Sequence, residues 1–281
     1  MNDVEFLLKL VHRGFLLEEA GKAVFEELTK DEPKNHFTIG INDDVTHLSL
    51  NYDPGSLQEP QEISRAVFYG LGSDGTVSAN RNSIRIIGEA TDRHAQGHFE
   101  FDSKKAGAMT VSHLRFGPQR IQSTYLIGDG QAEFVGCHQA AFAERFDILR
   151  FAGPGATVLL NTPWPADEVW EQLPGSMQRT IIDKGLALWV IDAYAVAREH
   201  GLGRRINTIM QTCFFALTDL LPRDEAIARI KDSVASTYRR KGGSIVEANY
   251  AAIDAALDHL AAVEPGAGVT NKRSLRAAVP A

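Results

Sequence analysis

Between residues 63 and 192 short apolar runs alternate with helix-like stretches, and this alternation restricts the fold more than any other feature of the chain. "AVFYGLG", "GHFEFDS", "AMTVSHLRF", "EFVGC", "ATVLLN" and "LALWVID" have the length and the β-branched or aromatic content of strands. Residues 76–89, residues 139–151 and a charge-rich segment before "LALWVID" have helical spacing. Such a pattern predicts an α/β fold, a doubly wound, Rossmann-like sheet covered by helices. From Ala193 onward the apolar spacing is almost wholly helical, so the sheet leads into a helical C-terminal part. Before the alternation, residues 3–30 read as two helices broken near Gly14, and "HFTIGI" and "DVTHLSL" as short strands of a small N-terminal α/β segment. "NYDPGSLQEPQE" (Asn51–Glu62) has the Pro, Gly and charge of a linker. The expected division is 1–62, 63–262, and a linker or disordered tail over 263–281.

Composition removes several function classes. A hydrophobic content of 44% in 281 residues fills a sizeable core, while the formal charge of −7 lacks the broad positive field that nucleic-acid binding needs. Any anion site must therefore be local. Cys137 and Cys213 are the two cysteines, far apart and without C-x-x-C spacing, so the chain encodes neither a disulfide framework nor an iron-sulfur cluster and both read as buried reduced thiols. Asp3 and Glu5 stand where a signal peptide carries lysine or arginine, and no apolar run reaches the roughly 18 residues of a membrane span. These features predict a cytoplasmic protein without membrane contact.

"FYGLGSDGTVSANRNSI" contains a G-x-G-x-x-G at Gly70, Gly72 and Gly75, after an expected strand and before an expected helix. Helix-opening N–H groups and the helix dipole attract anions there. Three readings stay open: a purely structural turn, a seat for a phosphate-bearing ligand, and a dinucleotide site. Asp74 inside the turn opposes the last, because its charge would repel an overlying pyrophosphate. The acid expected about 20 positions on, for a ribose diol, has only Asp102 as a candidate, and Lys104 and Lys105 beside it suit a phosphate better. Other candidates are weaker. "GDG" (Gly128–Gly130) starts like a thiamine diphosphate motif but is followed only by Asn161, and Asp129-Gly130 reads as a turn. Cys137-His138 has no partner at metal-ligand spacing. His113 and Arg115 share one strand face and could hold an anion, with interface residues on an edge strand as the plainer alternative. "GLGRRIN" (Gly201–Asn207) brings two arginines to a helix start, and "RRKGG" (239–243) reads as a basic helix end.

Together with "DSKKAGAMTVSHLRFGPQRIQSTYLI", "EFVGCHQ", "VLLNTPW", "TIIDKGLALWVIDA", "GLGRRINTIMQTCFFAL" and "KNHFTIGINDDVTHLSL", the glycine-rich block resembles pyruvate:ferredoxin (flavodoxin) oxidoreductase over residues 34–260. The likeness is to the gamma-type domain of that multidomain enzyme with the tail of the domain before it. The resemblance implies oxidative decarboxylation of a 2-oxoacid on thiamine diphosphate with magnesium, electron transfer through [4Fe-4S] clusters to ferredoxin or flavodoxin, and acyl transfer to coenzyme A. It implies that this domain receives coenzyme A through Gly72, Ser73, Asp74, Gly75 and Thr76, through Lys104 and Lys105, and through Asn207, with Asp74 free to cap the helix. It names the enzyme's other domains or subunits as partners, in a homodimeric holoenzyme. Ala106, Ala108, Ser78 and Arg81 depart from the family's usual residues, Arg81 keeping the charge of a lysine. The chain itself carries no complete thiamine motif and no cluster cysteines. The rival functions are a noncatalytic assembly module, whose glycine turn only packs strand against helix, and an NAD(P)-linked reductase.

Overall fold

The computed structural model describes residues 18–39, 41, 45–52, 59–101, 109–123, 126–239 and 242–273, and divides the chain into two units at Gln61–Glu62. In the first unit a helix, α1 (Glu18–Leu28), accompanies two short strands, β1 (Thr38–Ile39) and β2 (Ser49–Leu50), that pair in parallel. The helix expected before Gly14 lies outside the described residues, as do residues 53–58 of the expected linker.

The second unit is built on a seven-stranded sheet. Its strands are β3 (Ser64–Leu71), β4 (His94–Phe101), β5 (Met109–Gly117), β6 (Ala132–Cys137), β7 (Ala152–Asn161), β8 (Ala187–Ile191) and β9 (Ala261–Ala262), in the order β4-β5-β3-β6-β7-β8-β9. The middle four, β3, β6, β7 and β8, are parallel, while β5 and β9 run against them. Only seven residues separate β4 from β5, too few for a parallel crossover, so the two form an antiparallel hairpin.

Two apolar layers sandwich the sheet because residues of a buried strand alternate between its faces. In β3, Phe68 faces one layer and Val67 and Tyr69 face the other. The Phe68 side carries α2 (Thr76–Ala90), α6 (Ala193–Glu199), α7 (Asn207–Ala216), α8 (Arg223–Tyr238) and α9 (Gly243–Ala255). Phe214 of α7 anchors that layer, its ring centroid 5.1 Å from Phe68 and 5.0 Å from Phe134. The opposite side carries α3 (Ala140–Arg145), α4 (Val169–Gln172) and α5 (Gly175–Lys184). No helix among the described residues is long and apolar enough to cross a membrane.

Four local expectations change. The helix expected over 139–151 stops at Arg145, because Ile148 and Leu149 turn inward and the backbone closes short bonds there, Arg150 N to Asp147 O and Ala152 N to Leu149 O. Strand β7 starts at Ala152, four residues earlier than expected, and carries an irregularity where Ala132 pairs with Ala152 but Phe134 with Thr157. His113 and Arg115 do not lie on an edge strand, since β5 has a partner on each side. Both are buried and internally committed. His113 receives Ile127 N at 3.1 Å and meets Glu100 at 3.2 Å, and Arg115 donates to Leu126 O at 2.8 Å. Residues 264–273, expected as a linker or disordered tail, dock on α4 and α5: Gln178 receives Thr270 N and Asn271 N, each at 3.0 Å, and Gly175 N donates to Arg273 O at 2.9 Å.

Candidate functional site

Strands β3, β6, β7 and β8 point their C-terminal ends in one direction, and the chain reverses between β3 and β6, the place where open α/β sheets form a crevice. The glycine turn leaves β3 here. Gly70 is required by close approach, since a Cβ on it would fall 2.2 Å from Thr76 Oγ1. Gly75 has φ +85°, the left-handed region that favours glycine, and hands the chain to α2.

Asp74 organises the turn. Its carboxylate accepts from Leu71 N at 2.8 Å, Thr76 N at 2.9 Å, Thr76 Oγ1 at 2.6 Å and Gln139 Nε2 at 3.1 Å. The aspartate thus caps the first helical amide, as the resemblance allowed. Gln139 Nε2 extends the network to Tyr194 OH at 2.7 Å. Thr76 is fully buried, and its hydroxyl also meets His138 Nδ1 at 2.7 Å. A hydroxyl has one proton and the carboxylate can only accept, so the imidazole must supply the proton of the second bond and carries it on Nδ1. Burial pushes His138 down to about 4, against a smaller opposing pull from Asp74, which keeps the ring neutral.

The turn residues therefore divide. Thr76 and Asp74 hold the loop together, whereas Gly72 and Ser73 are exposed. Among the described residues no protein group takes the amides of Val77 and Ser78, the next two in the first turn of α2. Asn80 Nδ2, buried in the same helix, also has no hydrogen-bond partner among the described residues. Asn207 opens α7 directly beside the turn: a Cβ on Gly75 would come within 3.1 Å of Asn207 Cβ. Lys104 and Lys105 lie outside the described residues. The strands that carry their loop are placed, however. Met109 pairs with Leu71 and Thr110 with Phe101, so the β4–β5 loop springs from the same end of the sheet as the glycine turn.

A cavity of about 440 Å³ lies between α2, α7 and α8, within the range of small-ligand pockets. Ser78, Arg81, Asn82 and Arg85 line it from α2, at the i, i+3, i+4, i+7 spacing of one helix face. Asn207 and Gln211 line it from α7, and Ser233 and Tyr238 from α8. Two guanidinium groups and no carboxylate face this space, in a chain whose net charge is −7. Arg204 and Arg205, the other basic pair at a helix start, are exposed outside it. Composition had not pointed to Arg85, Gln139 or Tyr194. The polar stripe of α2 was the available signal for Arg85, whereas the other two are brought in by strands far along the chain.

The weaker motifs resolve as structure. Asp129 precedes β6 at the far end of the sheet and pairs with Arg150 at 2.7 Å, while Asn161 ends β7 and spends its amide on His138 O and Ala193 N. Opposite ends of a sheet cannot hold one thiamine diphosphate–magnesium unit. Among the described residues no group of three His, Cys, Asp or Glu could hold a metal ion. Cys137 and Cys213 are fully buried, and burial pushes both thiols up to about 12, far from the thiolate that a cluster requires.

This sheet with its helices is a fold found in oxoacid oxidoreductases. The pyruvate oxidoreductase subunit PORC of Thermotoga maritima superposes with a TM-score of 0.55 at 16% identity, over 73% of this chain and 100% of that one. The 2-oxoglutarate:ferredoxin oxidoreductase of Magnetococcus marinus, solved with 2-oxoglutarate, coenzyme A and succinyl-CoA bound, gives 0.54 at 14% identity over 71% of this chain and 31% of its own. Sequence carries the assignment further. The pyruvate-flavodoxin oxidoreductase of a Nostoc species is 59% identical over 239 residues, 85% of this chain and 20% of that protein. The family model described as pyruvate ferredoxin/flavodoxin oxidoreductase matches residues 65–259, and the chain belongs to that family. It spans about a fifth of the length of the curated relatives it matches.

Proposed function

We propose that this chain is the coenzyme A-receiving part of a pyruvate:ferredoxin or pyruvate:flavodoxin oxidoreductase working in the cytoplasm. The single observation that carries the reading is a guanidinium-lined cavity without acids that includes Ser78 and Asn207, the latter beside Gly75, next to amides of Val77 and Ser78 that no described group takes. Coenzyme A carries a pyrophosphate and a 3′-phosphate, charges that helix amides, lysines and guanidinium groups can share. Gly72, Ser73, Gly75, Lys104, Lys105 and Asn207 are its proposed contacts, with Asp74 and Thr76 shaping the turn.

The remaining chemistry comes from partners. Thiamine diphosphate, magnesium and [4Fe-4S] clusters would be held by other domains or subunits of a homodimeric holoenzyme, since the donor sets among the described residues do not fit them. When bound there, thiamine diphosphate supplies the carbanion chemistry of decarboxylation. This chain's part is to hold the acyl acceptor and keep its phosphates in place. The test is steady-state kinetics of the holoenzyme with Lys104→Ala and Lys105→Ala. The KM for coenzyme A should rise about tenfold or more, that for pyruvate staying level, as expected for lost charge-assisted contacts to one substrate. An unchanged KM for coenzyme A in the double variant would reject the site.

A further inference from the structure

We propose that Arg81 holds the 3′-phosphate of coenzyme A and so makes this domain discriminate coenzyme A from 3′-dephospho-coenzyme A. The inference rests on the coenzyme A reading above and adds the residue that sets its selectivity.

Arg81 is the unspent cation of the cavity. Its guanidinium lies over the Phe99 ring, 5.1 Å from the centroid, and among the described residues it makes no hydrogen bond or ion pair. Arg85, one turn further along α2, is already engaged: its Nη2 donates to Asn82 Oδ1 at 2.9 Å and to Ser233 Oγ at 2.7 Å. Stacking on an aromatic face restrains a guanidinium while leaving its N–H edge available, and that fork matches two phosphate oxygens. No carboxylate lines the cavity to compete.

Spacing supplies the ligand class. From Val77 and Ser78, whose amides no described group takes, to Arg81 the axial rise is about 4.5–6 Å. A ligand with one anionic group at the helix start must carry a second roughly that far away to reach Arg81. In coenzyme A both sit on a single ribose, the pyrophosphate through the 5′ carbon and the monophosphate on the 3′ oxygen. A nucleoside diphosphate without the 3′ group would leave Arg81 unused.

The experiment compares coenzyme A with 3′-dephospho-coenzyme A as ligand and substrate of the holoenzyme, in wild type, Arg81→Gln and Arg81→Lys. Arg81 is exposed on a helix surface, so these substitutions leave folding intact. Wild type should prefer coenzyme A on the order of tenfold in Kd and in KM. Arg81→Gln should bring that ratio close to one by weakening coenzyme A alone, and Arg81→Lys should keep part of it. The affinity for the dephospho compound should not move. A wild-type enzyme that binds both equally, or an Arg81→Gln enzyme that keeps the ratio, overturns the assignment while leaving coenzyme A binding at the turn in place. Failure of the holoenzyme to bind coenzyme A at all, with Lys104→Ala and Lys105→Ala silent, overturns the reading beneath it.

Discussion

At the residue scale the glycine turn is a set of close contacts centred on one carboxylate. Asp74 serves four donors, two of them the backbone amides of Leu71 and Thr76. In Asp74→Ala those amides lose their acceptor, and a cost of about 2–3 kcal/mol in urea unfolding is expected; an unaltered midpoint would show the carboxylate to be dispensable. His138 gives the same locus a pH signature. Its folded value of about 4 lies below the ordinary 6.5, so between these values the unfolded chain binds the extra proton. Stability is therefore full above about pH 6.5 and falls as pH drops toward 4, by up to ~3 kcal/mol from this group. His138→Gln should flatten that part of the stability profile relative to wild type, and parallel profiles would refute the assignment. The turn was legible because strand, glycines and helix are contiguous. The His138 link was not, because Thr76 and His138 are 62 positions apart and meet only after β6 has paired with β3.

At the element scale, periodicity found what repeats and missed what does not. The buried parallel strands and the helices after Ala193 show their spacing openly. The antiparallel pairing of β4 and β5 was not read, although the sequence places these two strands only four residues apart, too few for a parallel crossover. Residues 264–273 have no period, because they are held through individual polar groups rather than an apolar face. Gln178, fully buried on α5, does most of this: it donates to Trp170 O at 2.7 Å and Thr270 Oγ1 at 3.1 Å while accepting two amides. Gly266 completes the dock, since a Cβ there would lie 2.4 Å from Trp170 Nε1. Gln178→Ala should free this segment at a cost of about 1–3 kcal/mol. Hydrogen exchange reads it directly: the amides of Thr270 and Asn271 should exchange much faster while those of β6 and β7 stay protected. Equal protection in the variant would mean that the apolar contacts alone hold the segment.

At the scale of the whole molecule, charge and donor chemistry limit what the described residues can hold. The chain is acidic, yet the cavity between α2, α7 and α8 is lined only by cations and neutral groups, so binding energy for an anion there is local and its on-rate gains little from the overall field. A cluster needs several thiolates, and the two thiols here are buried, lie on different elements, and have values near 12. The purified chain, treated anaerobically with ferrous iron and sulfide, should therefore gain no visible charge-transfer band and retain no stoichiometric iron after desalting. It should also leave pyruvate-dependent acceptor reduction at background until the remaining parts of the enzyme are supplied. A stable cluster formed on this chain alone, or reduction by it alone, would contradict that limit, because either would require thiolates or a thiamine site that its sheet and helices do not present.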